Sequence, residues 1–263
     1  DPLRFSVLRA PGYADPGWAD TACSLVSAHA DELAAVVIEP LVQGASGMWV
    51  TDPESVERLG DACREHGVVL IDNEVATGFG RTGTLFASEQ CRIRPDILCL
   101  GKGLTGGYLP MAATAVTRRV YEAFLGPDLS EKTFYHGHSF SGNALAAAVA
   151  RRHLELIEEW AVLANVRERA TQLGVLLDKF AAERPAVVAD VRRRGLMTGV
   201  ELAPPTDGLR WGRRVCAAAV DRGVLLRPLG DVIVLMPLLT STPDEIERIV
   251  DVLADAVDEG CQR

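Results

Sequence analysis

The sequence predicts an α/β protein in which helices cover a mainly parallel sheet, followed by a smaller α+β part. In the first half of the chain, short apolar runs alternate with helical patterns, which is the rhythm of consecutive βαβ units. After residue 187 the pattern changes to short strands separated by single helices. We therefore expect a larger domain over residues 1–183 and a smaller carboxy-terminal domain over residues 184–263.

In the larger domain, four apolar runs are predicted as strands, at 34–38, 68–71, 97–100 and 111–116. A helix between the first two strands is predicted to begin at Pro53, because Asp52 is a good cap and proline suits the first helical position. The ends of parallel strands meet at one edge of a sheet, where α/β proteins place their ligands. Residues that follow these strands are therefore the first candidates for a site.

A long helical stretch over 143–160 continues in a second amphipathic stretch to about residue 182. The smaller domain is then predicted to contain strands at 191–200, 224–226 and 232–235 and a helix at 209–222. Its last helix carries a capping box, with Thr242 as the cap, Pro243 at the first position and Glu245 three residues after the cap.

Composition favours a small-molecule partner. The chain has 263 residues, of which 48% are hydrophobic, enough for a sizeable core. Its formal net charge of -9 argues against nucleic acid and against an anionic membrane surface, which both need a basic patch. No apolar run approaches the roughly 20 residues of a membrane span. Six cysteines without CxxC spacing favour reduced thiols and a cytoplasmic protein.

Lysine is scarce, and this makes the position of each lysine informative. Only Lys102, Lys132 and Lys179 are present, against 24 arginines. Lys102 follows the apolar run at 97–100 and lies between two glycines, which would let a bulky ligand approach the backbone. A lysine nucleophile in a cleft and a surface lysine in a turn both fit this pattern.

Two further polar clusters are candidates for chemistry. The first follows the strand at 68–71 and runs from Asp72 through a glycine-rich loop to Gly83, and a structural turn is the alternative interpretation. The second precedes the long helix and contains His136, His138 and Ser139. Backbone N–H groups there could bind a phosphate. Two histidines at HxH spacing with no third ligand nearby are a weak zinc signal, so we predict no metal site.

Taken together and in this order, the clusters resemble class III aminotransferases. The matching segments are IEPLVQGASGM at 38–48, TGFGRTG at 77–83, PDILCLGKGLTGGYLP at 95–110, HGHSFSGNALA at 136–146 and RPLGDVIVLMPLL at 227–239. Within the class they look most like the diaminopelargonate aminotransferases of biotin synthesis. The resemblance implies fold-type I and pyridoxal phosphate as the cofactor, with residues 1–183 as the carboxy-terminal part of the large cofactor-binding domain.

The resemblance also implies roles for single residues in binding the cofactor. Lys102 would bond covalently to pyridoxal phosphate and then move the proton between Cα of the substrate and C4′ of the cofactor. Val75 would pack on one face of the pyridine ring, and Asn73 would lie at its nitrogen. Ser139 and Gly137 would reach the phosphate, in this family across a dimer interface.

At the substrate, Arg227 would bind the carboxylate of the keto acid through its planar guanidinium, and Tyr108 would be a second contact. A surface arginine before a turn is the alternative for Arg227. The implied substrates are an amine donor and a ketone that resembles 8-amino-7-oxononanoate. The donor, whether S-adenosylmethionine, lysine or another amine, is left open.

Two features depart from the family's pattern. The family's amino-terminal region has no counterpart in this sequence, so we expect a homodimer or an assembly with a chain that supplies that region. A fragment, a processed product and one half of a split protein all fit the missing initial methionine. In addition, relatives have an aspartate at the ring nitrogen, directly before Glu74, where this chain has Asn73. Neighbouring Asp72 would face the other way unless the strand bulges.

These departures leave three hypotheses open. The chain transfers an amino group to an 8-amino-7-oxononanoate-like ketone, or it is a class III aminotransferase for another ω-amine or ketone. The third hypothesis is a catalytically impaired subunit in which Asn73 marks lost chemistry. Lys102 in an intact GKG context favours the first two, because a lysine has no obvious structural use there.

Overall fold

The computed structural model describes residues 6–127 and 130–261. Its helices are α1 (Trp18–Ala28), α2 (Pro53–Glu65), α3 (Arg118–Glu122), α4 (Ala144–Glu159), α5 (Val162–Ala182), α6 (Trp211–Asp221) and α7 (Pro243–Gly260). Its strands are β1 (Ala35–Ile38), β2 (Val42–Gln43), β3 (Trp49–Val50), β4 (Val69–Asn73), β5 (Ile97–Leu100), β6 (Ala113–Val116), β7 (Val188–Arg194), β8 (Met197–Leu202), β9 (Arg227–Leu229) and β10 (Val232–Leu235). None of the helices within the described ranges is long and apolar enough to cross a membrane.

Both predicted helix starts are confirmed. The side chain of Asp52 accepts a hydrogen bond from the backbone N–H of Ser55, so α2 begins at Pro53 as expected. At α7, the Thr242 side chain and the Glu245 side chain each accept from the backbone N–H of the other residue. Such caps satisfy backbone donors that have no partner inside the helix, which is why they can be recognised in a sequence.

The chain divides into two compact units, each with its own sheet. The first unit comprises residues 1–41, 51–77 and 88–155, and the second comprises residues 42–50, 78–87 and 156–263. The last segment of the second unit begins at Leu156, so α5 belongs to this unit. The reason is that α5 buries Val166, Leu173 and Leu177 within the second unit, where it packs on β7 and α7. The assignment of a cofactor-binding domain and a small domain to these parts stays a prediction.

The first unit contains the mainly parallel sheet, as predicted. Its strand order is β1-β4-β5-β6, in which β1, β4 and β5 are parallel and β6 is antiparallel to β5. The parallel strands end at Ile38, Asn73 and Leu100, and the antiparallel β6 starts beside Leu100 with Ala113. The segments that follow Asn73 and Leu100 therefore lie at the same edge of this sheet.

The second unit contains an antiparallel sheet with the order β7-β8-β10-β9. The single strand predicted over 191–200 was wrong, because the chain reverses at Gly195 and forms a hairpin of β7 and β8. Gly195 has φ of 59°, and a Cβ there would lie 2.4 Å from the carbonyl oxygen of Arg81. Only glycine fits such a left-handed and crowded position. The residues on both sides of Gly195 have a strand-like pattern, so the turn between them was not predicted.

Candidate active site

Lys102 begins a short 3-10 turn directly after β5. The turn spans Lys102–Thr105 and ends at Gly106, and Lys102 itself has φ of 40°. A left-handed backbone at a non-glycine residue costs roughly 1–3 kcal/mol and persists only where its surroundings hold it. Here the Leu104 N–H donates to the Gly101 carbonyl at 2.9 Å, and the Thr105 hydroxyl donates to the Leu109 carbonyl at 2.5 Å. The backbone that presents Lys102 is thus held in an unusual conformation.

The exposed Lys102 side chain lies in a cavity of about 880 Å³ within the first unit. Residues 109–114 form one part of the lining, and His136, His138 and Asn143 contribute from the loop before α4. Cavities of roughly 300–1,000 Å³ are typical of small-molecule sites. Lys102 thus borders a cleft at the end of the parallel strand β5, and its role there stays a prediction.

Asn73 and Val75 approach this site from the end of β4. The Asn73 side-chain oxygen accepts a hydrogen bond from the Val75 N–H at 3.2 Å. A Cβ at Gly101 would lie 3.4 Å from Cγ1 of Val75, so this side chain packs against the residue directly before Lys102. Glu74, between them, is buried and accepts hydrogen bonds from Ser88 and Thr77. Val75 therefore lies beside the residue that precedes Lys102, with Asn73 next to it at the end of β4, and neither Asn73 nor Val75 is among the residues that line the cavity.

Asp72 faces away from this pair. β4 passes through Asp72 and Asn73 without a bulge, with Asp72 opposite Ile38 and Leu98 and Asn73 opposite Cys99. Asp72 is 0% exposed, whereas Asn73 is half-buried. Adjacent strand residues point to opposite faces, so the Asp72 carboxyl does not take the place of an aspartate at position 73.

Neither oxygen of the buried Asp72 carboxyl has a hydrogen bond of ordinary geometry within the described residues, since the nearby Ser88 hydroxyl donates to Glu74. Burial raises its pKa from 3.8 to about 8, and the nearby Glu74 carboxyl adds to the rise while the Ser88 hydroxyl opposes it. Desolvation without a compensating cation favours the neutral acid. Burial therefore favours the neutral acid at Asp72 near neutral pH.

We expect Asp72→Asn to stabilise the protein at high pH. The folded state holds a proton on Asp72 between pH 3.8 and about 8, where the unfolded chain has released it. The contribution to the free energy of unfolding is therefore complete below pH 3.8 and falls as pH rises, by roughly 5–6 kcal/mol up to about pH 8. Urea unfolding at pH 5 and pH 8 should show a larger gain for Asp72→Asn at pH 8.

The control for this experiment is Asp61→Asn, a change of an exposed carboxylate on α2 that pairs with Arg64. Such surface pairs contribute little to stability. An equal effect of Asp72→Asn at both pH values would show that Asp72 does not titrate between them.

The predicted phosphate ligands, Ser139 and Gly137, lie on the loop before α4 but outside the cavity lining. Ser139 and Gly137 are exposed and do not line the cavity, although His138 between them does. The loop is ordered by its own contacts, since the His138 N–H donates to the Ser141 hydroxyl oxygen at 3.1 Å. Their role at the phosphate stays a prediction.

Asn143 is a residue whose role was missed in the sequence. Its side-chain oxygen accepts from the N–H groups of Leu145 and Ala146, so it caps α4, and it also borders the cavity. An asparagine directly before a helical pattern is a capping signal that could have identified it.

The predicted substrate residues belong to different units. Tyr108 lies in the first unit, just beyond the lysine-bearing turn, and is 85% exposed. Arg227 is the first residue of β9 in the second unit, where it pairs with Val234 and is exposed. Their contacts with a substrate stay predictions. Within the described part of the chain, no group of three or more side chains could hold a metal ion.

The glycine-rich loop after β4 has a structural role. Its Arg81 guanidinium donates to the Pro237 carbonyl oxygen at 2.5 Å, and burial lowers the pKa of this side chain. Both residues belong to the second unit. The alternative interpretation of this loop as a structural turn therefore describes Arg81 well.

The model of the class III aminotransferase family matches residues 17–257. The chain belongs to this family. It is 45% identical to an adenosylmethionine-8-amino-7-oxononanoate aminotransferase of Nitratidesulfovibrio vulgaris, over 97% of this chain and 51% of that protein. A Geobacter sulfurreducens protein of the same name is 42% identical, over 97% of this chain and 61% of the relative. The class predicted from the motifs is thus confirmed.

Solved structures of class III relatives agree with the fold. The Methanocaldococcus jannaschii adenosylmethionine-8-amino-7-oxononanoate aminotransferase superposes with a TM-score of 0.91 at 38% identity, over 98% of this chain and 61% of that one. An amine transaminase from an uncultivated Pseudomonas species, solved in its PLP-bound form, gives 0.83 at 36% identity, over 92% and 56%. The fold-type I prediction is confirmed, and the chain spans about half of the length of several of these relatives.

Proposed function

We propose that the protein transfers an amino group to a keto acid resembling 8-amino-7-oxononanoate, with pyridoxal phosphate as the cofactor. The observation that carries this proposal is the position of Lys102, in a cavity at the end of a parallel strand, in a chain 45% identical to an aminotransferase with that substrate in its name. Other ω-amine or ketone substrates are the second candidate, because solved relatives also include amine transaminases.

The residues present fit pyridoxal phosphate. Lys102 supplies the primary amine that this aldehyde needs, and the cavity is large enough. Val75 packs on Gly101 and does not itself line the cavity, and it is the apolar side chain that we propose for one ring face. Asn73 would lie at the ring nitrogen, and Ser139 and Gly137 would bind the phosphate. A solved relative carries this cofactor. When bound, the cofactor supplies an electron sink for breaking the Cα–H bond of the donor.

Lys102 has two roles in this proposal. Its Nζ would hold the cofactor covalently, and as a free amine it would carry the proton between Cα of the substrate and C4′ of the cofactor. A proton carrier placed within reach of both atoms contributes roughly 10²–10⁴-fold to rate. The constrained turn suits this task, because it fixes the point from which the flexible side chain reaches the reacting atoms.

Arg227 would bind the carboxylate of the acceptor, with Tyr108 as a further contact. We expect Arg227→Ala to raise KM for a carboxylate-bearing ketone while sparing a ketone of similar length without the carboxylate. Loss of one partner of a desolvated charge pair costs roughly 2–5 kcal/mol. The comparison of kcat/KM for the two ketones tests this role.

Arg213→Ala is the matched control, since Arg213 is an exposed arginine of the same unit. Equal damage by Arg227→Ala with both ketones would identify Arg227 as a structural residue instead.

We also propose that the protein acts as a homodimer, or with a chain that supplies the family's amino-terminal region, and in the cytoplasm. Several large aromatic side chains of the first unit are exposed, and we propose that they form part of the interaction surface. They include Tyr108, Tyr121, Phe124, Phe134, Tyr135 and Phe140. The six cysteines lack CxxC spacing, which favours reduced thiols and supports the cytoplasm.

The direct test is an amino-transfer assay with the protein as its own gene encodes it. The protein is incubated with pyridoxal phosphate, 8-amino-7-oxononanoate and either S-adenosylmethionine or lysine, and the aminated product is measured by mass spectrometry. Product with one donor supports the proposal and identifies the donor. Amination of simple ketones alone would favour the second candidate.

A further inference from the structure

The turn that carries Lys102 is supported from α4 by His153. A Cβ at Gly106 would lie 2.9 Å from Cδ2 and 3.3 Å from Nε2 of His153, so the edge of the imidazole ring rests on the Gly106 backbone. Gly106 has φ of 61° and closes the turn that Lys102 opens. The His153 ring therefore contacts the lysine-bearing segment at Gly106, and any residue larger than glycine at position 106 would push the ring away.

His153 also makes a polar contact with this turn. Its imidazole hydrogen-bonds to the backbone of Leu104, and this bond raises the His153 pKa. A bond that favours the protonated ring identifies the backbone partner as the carbonyl oxygen, which accepts from the ring N–H. Burial, the larger effect, lowers the pKa of His153. A neutral imidazole that donates to Leu104 is therefore the form present at neutral pH.

These two contacts of His153 connect the turn that carries Lys102 to the rest of the first unit. The turn holds a non-glycine residue at φ of 40°, and its internal hydrogen bonds do not anchor it to the rest of the unit. His153 is half-buried and does not line the cavity. It therefore influences the conformation of Lys102 only indirectly, through its contacts with Leu104 and Gly106. The helix that carries His153 is itself capped by Asn143, a cavity residue.

We propose that His153 is a positioning residue that holds the Lys102 turn in its constrained conformation, through a hydrogen bond to Leu104 and a contact with Gly106. The inference rests on the proposed function, because it assigns the purpose of the turn to the binding of pyridoxal phosphate by Lys102. It predicts that histidine at 153 and glycine at 106 act as a matched pair.

The first test distinguishes the effect of the His153 N–H donor from the effect of the volume of its ring. His153→Leu keeps bulk without an N–H donor, and His153→Gln keeps a donor. In His153→Leu, loss of the part-buried hydrogen bond should weaken the binding of pyridoxal phosphate by about tenfold. It should also make amide exchange at Leu104 and Gly106 about tenfold faster. His153→Gln should restore both quantities to within about threefold of wild type. Exposed Arg151→Ala on the same helix is the control and should change neither.

The second test examines the contact itself with Gly106→Ala. The added Cβ would push against the ring, so this variant should weaken cofactor binding on its own. Combined with His153→Ala, the two changes should cost less than the product of their separate effects, because the obstructing ring is gone. Strictly multiplicative effects would show that the two residues do not interact and would overturn the matched pair.

The two proposals can fail separately. Wild-type protein that binds pyridoxal phosphate on Lys102, with unchanged binding and exchange in His153→Leu, overturns the positioning role alone. Wild-type protein in which no cofactor attaches to Lys102 overturns the proposed function and the positioning role with it.

Discussion

Replacing Lys102 with alanine should abolish covalent attachment of pyridoxal phosphate and reduce amino transfer by at least roughly 10²–10⁴-fold, the contribution of proton transfer alone. Borohydride reduction of the wild-type protein with bound cofactor, followed by peptide mapping, should locate the pyridoxyl group on Lys102. The expectation follows from its place in the cavity at the end of β5. Lys102 is exposed, so its truncation removes little packing and should leave the fold intact.

The scarcity of lysine supplies the controls. Lys132→Ala and Lys179→Ala should retain both the label and the activity, since these side chains lie outside the cavity that the described residues form. A label on either of these lysines, or a normally labelled Lys102→Ala protein, would contradict the assignment.

Changing Asn73 to aspartate should raise kcat with little effect on KM. An aspartate at the ring nitrogen favours its protonated form by opposite charge, and a shift of roughly one to three pKa units is typical of such a neighbour. In this chain the Asn73 oxygen is already engaged by the Val75 N–H, which leaves the amide N–H₂ to donate to the ring nitrogen. Donation favours the neutral ring, which withdraws electrons less well. We therefore expect slow transfer in the wild-type protein.

The same hydrogen bond makes the substitution conservative, because an aspartate oxygen can accept from the Val75 N–H as the amide oxygen does. Each 1.36 kcal/mol of recovered stabilisation raises kcat about tenfold, so an increase on the order of tenfold is expected. Asn73→Ala, which adds no charge, should not reproduce it. The regular strand at Asp72 excludes rescue by that residue, so an unchanged or lower kcat in Asn73→Asp would mean that position 73 does not face the ring nitrogen.

Several parts of the candidate site could be predicted because their signals are local. Lys102 was recognisable from an apolar run followed by glycines, and the α7 cap from three residues within one turn. Asn73 was recognisable as a departure because its neighbours in the motif are intact. The hairpin at Gly195 was not predicted, since the need for glycine there comes from the Arg81 carbonyl, more than a hundred residues earlier in the chain.

The sequence by itself determined the family, the strands and helix caps of the mainly parallel sheet and the last helix, and the identity of the candidate lysine, because periodicity, caps and motifs depend on neighbouring residues. Only the tertiary structure decided that Val75 packs on Gly101, that the His153 ring lies against Gly106 and that burial raises the pKa of Asp72. The physical reason is that burial and contact depend on which distant segments the fold brings together. The same carboxyl group would titrate normally in water, and it is the surrounding core that changes its charge.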